Sequence, residues 1–159
     1  MATHANPILA RWNRVKGFAI GRWFASRMIG FKAPYSATIG ARIERLEKGS
    51  IELSMRDRRA VRNHLDSIHA AALLNLTELT GGLLASASIP ADTRMIITRV
   101  EVDFVKKARG TLRSMGRCTP PPTNQRKHLL IEVTITDEDG DEVASGRVMT
   151  LIGPTTDGS

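Results

Sequence analysis

The sequence predicts an α+β domain: a curved antiparallel sheet of about six strands wrapped around a long central helix, with an extra helix in front. Three observations predict it. Apolar and polar residues alternate over several short segments, which is the two-residue period of half-buried strands. Turn residues, mostly glycine or proline, separate these segments at short intervals, which favours antiparallel neighbours. Between them lies one stretch, residues 69–86, that is apolar on nearly every side. A helix of that kind is normally buried, and the sheet has a matching apolar face to bury.

The elements follow in order. In residues 1–35, Ile8, Trp12, Val15, Ala19 and Trp23 recur at steps of three and four, widened by Ile20, Phe24 and Met28. This predicts a basic amphipathic helix over 8–30, with Pro34 ending the segment. Such a helix can pack on the domain or a partner subunit, or lie on an anionic membrane surface. An Arg-rich, acid-free segment also has the make-up of an organelle-targeting sequence.

The main domain is expected over 36–153, followed by a loose tail over 154–159. Its first strand runs through Ile39, Ala41 and Ile43 to a Lys48-Gly49 turn, and the second carries Ile51, Leu53 and Met55 inward. The third spans 94–105, with Ile96, Val100, Val102 and Phe104 on one face and Arg99, Glu101 and Asp103 on the other. Ala108-Arg109-Gly110 turns into a fourth strand near 111–118. Pro120, Pro121 and Pro122 form a loop, because proline removes the backbone donor a ladder needs. Leu129, Ile131, Val133 and Ile135 mark the fifth strand, Asp137–Gly140 a turn, and 143–152 the sixth.

Composition narrows the class of function. The chain has 159 residues, the size of one domain. Its net charge of +7 is concentrated at the front: residues 1–43 hold seven Lys/Arg and no acid. The other 16 of the 23 basic residues balance the 16 acidic ones, so the rest of the chain is neutral overall. That argues against a nucleic-acid binder, which shows a basic face on its main domain. A single cysteine, Cys118, cannot form an internal disulfide and is read as structural; it fits a reducing compartment. No apolar run approaches the length of a membrane span and no secretory signal is evident, so a cytoplasmic location is expected. No metal site and no separate cofactor are expected.

The chemistry concentrates around the apolar helix, where Asn63, His64, His69, Asn75 and Glu78 interrupt otherwise core-like sequence. A buried carboxylate is costly unless it is paired or used. The helix is expected to start near His69, with Asp66 or Ser67 as its cap. Its first N–H groups have no partner within the helix and attract developing negative charge, which makes an oxyanion hole with the Ala71 amide as donor. Glu78 is the only acid between Asp66 and Asp92, so it is the candidate base or nucleophile. Asn75, three residues earlier on the same face, can orient Glu78 or pair across to another helix. His64 is read as structural.

His69 and Glu78 are nine residues apart. At 100° per residue they fall on nearly opposite sides of the helix, roughly 13 Å apart along its axis. They cannot share one substrate within one chain. Two antiparallel helices from two subunits can bring them together, so a homodimer with sites at its interface is expected. Lys106, Lys107 and Arg109 suit the phosphates of an anionic ligand by charge and donor count. Arg58, Arg59, Arg62, Arg126 and Lys127 are weaker candidates.

Over residues 36–152 the sequence resembles the hotdog fold, in particular the small acyl-CoA thioesterases of the phenylacetate-pathway type and their relatives. Their signature is an Asn before the helix, then His-Gly-Gly, then an acid nine residues after that His. Here Asn63, His69 and Glu78 occupy those places, with Glu where the subfamily usually has Asp, and Leu79-Thr80-Gly81-Gly82 is typical of some relatives. The two glycines are Ala70 and Ala71 in this chain. Val105–Gly110 looks like the segment that lines the CoA path. The resemblance implies acyl-CoA thioester hydrolysis with Asn63 holding the water or the thioester carbonyl, and dimers that often pair into tetramers. Non-catalytic acyl-CoA binders and dehydratases share the fold.

Overall fold

The computed structural model describes residues 6–18, 20, 21, 26, 27 and 33–155. Helix α1 spans Pro7–Val15 and a short helix α2 spans Pro34–Ala37. Strands β1 (Arg42–Glu47) and β2 (Ser50–Met55) form a hairpin, followed by a 3-10 turn at Arg59–Val61. The long helix α3 covers Ala70–Ser88. Strands β3 (Thr93–Phe104), β4 (Leu112–Arg117), β5 (Lys127–Thr136) and β6 (Glu142–Pro154) complete the domain.

All strand pairs are antiparallel, in the order β1-β2-β4-β5-β6-β3. The sheet wraps α3, which touches every strand. Alternation does the work here: Ile51, Leu53 and Met55, and likewise Leu129, Ile131, Val133 and Ile135, all point into the core against Leu76 and Leu84. By length and composition α3 could cross a membrane, and the expectation that no stretch comes near that limit is corrected. Instead it is mostly buried, because the sheet supplies the apolar surroundings a bilayer would.

Close approach of helix and sheet requires small residues. A Cβ on Gly81 would lie 2.6 Å from Val148, and one on Gly146 would lie 2.7 Å from Thr77 Cγ2. The helix hydroxyls on this inner side satisfy themselves locally, whereas Thr150 Oγ1 on β6 is buried without a partner. Thr77 Oγ1 donates to Leu73 O at 3.0 Å, and Thr80 Oγ1 donates to Leu76 O at 2.6 Å. Thr80 and Ser114 also share a hydroxyl hydrogen bond of 2.7 Å.

Three expectations need correction. The front segment is not one helix over 8–30: α1 stops at Val15, and residues 16–18 form a turn around Gly17. Glycine there has too little helix propensity to carry the segment through. Trp23, Phe24 and Met28 lie outside the described residues. Pro34 begins a helix rather than only ending one, since its missing N–H costs nothing in a first turn. In β3 the ladder register shifts between Ile97 and Arg99, and the bulge reverses the inward face. Met95 and Ile97 therefore pack on the core together with Val100 and Val102, while Ile96 turns out to solvent at 64% exposure.

The front segment is anchored to the domain at several points. Trp12 is buried in the core cluster. The Asn6 side chain joins two helix ends: Oδ1 accepts from Ile8 N at 2.9 Å and Leu9 N at 3.3 Å, capping α1. Its Nδ2 donates to Ser86 O at 2.7 Å and Ile89 O at 2.9 Å, at the end of α3. Further on, Ser26 Oγ accepts from Ile43 N at 3.0 Å, on β1.

Candidate active site

The sheet leaves part of α3 uncovered. Ala70, Ala71 and Leu74 are exposed there, and Glu78 and Gly82 are partly so. Their spacing of three and four residues puts them on one helical face.

Glu78 sits two turns into this face and is half-buried. Among the described residues, its one hydrogen bond comes from Ser36 of α2, whose Oγ donates to Oε2 at 3.5 Å. Burial pushes the Glu78 pKa up from the ordinary 4.5, and the Ser36 hydroxyl opposes that rise. Beside it, Asn75 is only 7% exposed. Its Nδ2 donates to Tyr35 O at 3.4 Å, while its Oδ1 is buried without a donor. Both of these side chains are thus met by the short α2 segment. Ser36 was not foreseen as a site residue, because a serine 42 residues from Glu78 in a turn-like stretch carries no periodic or motif signal.

The helix N-terminus is built differently from the expectation. His69 itself is the N-cap, in place of Asp66 or Ser67, and its Nδ1 accepts from Ala71 N at 3.0 Å. With Nδ1 accepting, the ring N–H donor is on Nε2. The Ala71 amide, expected to serve an oxyanion, is engaged with this ring. Asp66 instead takes the left-handed backbone conformation, φ 52°, at the corner of the loop.

Asn63 organises that loop. Its Oδ1 accepts from Leu65 N at 2.9 Å, Ser67 N at 3.3 Å and Ser67 Oγ at 3.1 Å. With the oxygen so occupied, the Nδ2 hydrogens are the donors left over. His64 is exposed on the same loop. The loop is pinned to the β3–β4 turn: Ile68 N donates to Ala108 O at 2.8 Å, and Arg109 Nε donates to Asp66 O at 3.2 Å. Asp57 bridges the same two segments, accepting from Arg62 Nε at 2.7 Å and Gly110 N at 3.2 Å. The Arg62 guanidinium holds the Asp57 carboxyl below its usual value.

The three cations expected to meet phosphates have separate fates. Lys106 is ion-paired with Asp137 at 2.8 Å and Asp141 at 2.7 Å, so its charge is already balanced. Arg109 is tied by Nε to the loop backbone. Lys107 is exposed on the same turn. Among the described residues, no group of three or more His, Cys, Asp or Glu is placed to hold a metal.

Within one chain, then, Asn63, His69 and Ala71 gather at the start of α3, while Glu78 lies two turns on with Ser36 and Asn75. Comparison with known proteins bears on what this arrangement is. A sequence model for the DUF4442 family, a domain of unknown function, matches residues 21–152. The chain belongs to the DUF4442 family. No curated protein is significantly similar to it.

Solved structures are more informative about the fold of this DUF4442 member. A genomics target is 28% identical, with a TM-score of 0.79 over 92% of this chain and 98% of that one. A Pseudomonas aeruginosa protein named a probable thioesterase is 26% identical, with a TM-score of 0.68 over 92% and 94%. A Haemophilus influenzae thioesterase, 12% identical, has a TM-score of 0.71 over 82% of this chain and 89% of that one. The fold is the hotdog fold of these thioesterases, as the sequence resemblance implies.

Proposed function

We propose that this protein hydrolyses acyl-CoA thioesters to the free acid and CoA, with Glu78 as the base that activates water. The observation that carries this reading is Glu78 itself: a half-buried carboxylate on the uncovered face of α3, bonded to Ser36 and with a raised pKa. A base whose pKa moves toward the working pH is more effective at neutral pH. The similarity to the Pseudomonas aeruginosa probable thioesterase supports the same chemistry.

The site needs a second copy. In one chain the oxyanion-stabilising helix N-terminus and Glu78 lie on different turns, so one substrate cannot reach both. Edge strand β3 favours such a pairing. It is 12 residues long, has no buried residue and, among the described residues, is paired on one side only, to β6. A long open edge of this kind is a template for another strand. Two copies joined there, with their α3 helices antiparallel, bring Glu78 of one beside the N-terminal turn of the other; such dimers can pair further into tetramers.

In this scheme the thioester oxygen is held at the helix N-terminus, with Asn63 Nδ2 as a further donor. The Ala71 amide serves only when the oxygen displaces the His69 ring. Lys107 and Arg109 are the cations proposed to meet CoA phosphates, and Lys106 contributes less, being neutralised by Asp137 and Asp141. That prior bond between Ala71 and His69 also favours a second reading, acyl-CoA binding without turnover.

The test is a purified protein assayed on acyl-CoA thioesters of increasing chain length, beside Glu78→Ala. Hydrolysis that disappears in the variant supports the enzyme. Tight binding without hydrolysis supports the second reading. Undiminished hydrolysis by Glu78→Ala would sink the proposed mechanism.

A further inference from the structure

Gly82 stands in the interior of α3, where glycine is unfavourable because it loses the most backbone freedom on folding. Its neighbour Gly81 has a steric reason, since Val148 leaves no room for a Cβ. Gly82 has no such reason. A Cβ there would meet Ile97 Cδ1 at 3.4 Å and Glu78 Oε1 at 3.9 Å, both ordinary contacts. Nor does the backbone require glycine, because Gly82 is not among the positive-φ glycines.

What the missing side chain does is leave space against Glu78. Gly82 lies one turn after Glu78 on the uncovered face. Its open position borders Oε1, whereas Ser36 holds the other oxygen, Oε2. One carboxylate oxygen is therefore engaged by Ser36, and the other borders the position a Cβ of residue 82 would take.

We propose that Gly82 reserves the space in which Glu78 Oε1 meets the attacking water. It is a positioning residue, acting by the volume it leaves empty. This rests on the thioesterase reading above. In that step a water proton passes to Glu78 Oε1 as the water oxygen bonds the thioester carbonyl carbon. The adduct collapses with cleavage of the C–S bond, and the proton leaves with the CoA thiolate. A methyl group at position 82 fills the space beside Oε1 and meets Ile97 Cδ1 only at ordinary contact distance.

The experiment compares Gly82→Ala, Gly82→Val and Glu78→Ala in the full chain, assayed with acyl-CoA thioesters and by thermal unfolding. Gly82→Ala is expected to raise the midpoint by about 2–4 °C, as a helix-interior glycine is replaced. Its kcat is expected to fall by on the order of tenfold while KM changes little, because chemistry and not binding is obstructed. Gly82→Val is expected to lose more kcat again. A Gly82→Ala variant that is fully active overturns the proposal, and so does one that is destabilised, which would make Gly82 a packing glycine. The Glu78→Ala arm separates two failures. If that variant is inactive while Gly82→Ala is fully active, only the reserved space is wrong. If Glu78→Ala retains full activity, the thioesterase reading fails and this proposal with it.

Discussion

The two sides of α3 both carry polar groups, and they treat them in opposite ways. Toward the sheet, Thr77 and Thr80 return their hydroxyls to the helix backbone, and Thr80 meets Ser114 at 2.7 Å. Every one of those groups is buried and satisfied. On the side the sheet does not cover, Glu78 has one hydrogen bond of 3.5 Å, and Asn75 has one of 3.4 Å and a buried oxygen with none. A protein does not leave buried polar atoms short without a cost, typically about 1–3 kcal/mol for each unsatisfied group. The inner polar groups hold the fold together. The outer ones are less completely paired, which suits the proposal that they meet a ligand or a second copy.

That contrast can be broken or sharpened by substitution. The largest effect is expected at Glu78. Glu78→Ala should lower kcat on acyl-CoA by about 10²–10⁴-fold, the usual contribution of a general base, measured by steady-state kinetics. Glu78→Gln should instead stabilise the fold at neutral pH. Because burial raises the folded-state pKa, the folded chain bears a cost for ionising Glu78, and that cost grows as pH rises above the ordinary 4.5 and through the raised pKa. Thermal unfolding of the Gln variant should exceed wild type at pH 7, with the gap closing below pH 4.5.

Next comes Gly81→Ala on the inner side. Overpacking against Val148 should cost roughly 1–3 kcal/mol in denaturant unfolding, the opposite sign from the neighbouring glycine. Thr80→Val removes the hydroxyl shared with Ser114 and should cost about 1–2 kcal/mol by the same measurement, leaving Ser114 short of a partner. On the outer side, Asn75→Leu should change stability by less than about 1 kcal/mol, because an orphaned oxygen is removed with it. A larger loss would show that a second copy supplies that oxygen with a donor. The smallest effect belongs to Ser36→Ala. Losing a hydrogen bond to the charged form raises the Glu78 pKa further, so the acidic limb of the kcat/KM profile should move to higher pH, with a few-fold loss of rate near it.

Much of this was legible beforehand. Turn glycines such as Gly49 and Gly140 do adopt positive φ, at 91° and 86°, and alternation located five of the strands, while β1 begins at Arg42, after the Ile39 and Ala41 on which it was placed. Glu78 stood out because a lone acid in an apolar helix has few structural uses. Other features were not legible. The bulge in β3 arises from how that edge pairs with β6, and nothing in its own alternation announces the change of face. The commitment of Lys106 to Asp137 and Asp141 depends on a turn more than 30 residues away. The cap at His69 depends on a ring rotamer, which residue type alone does not choose.

By itself, then, the sequence determined the period of each element, the apolar character of α3 and the presence of one carboxylate within it. These are local matters of side-chain chemistry and spacing. Only the tertiary structure decided which face of α3 stays open, that Ser36 and Tyr35 come to lie against it, and that Gly81 is forced by Val148 while Gly82 is free. Those outcomes depend on contacts between residues far apart in the chain. Burial, and with it the raised pKa of Glu78, is a property of surroundings that no single segment specifies.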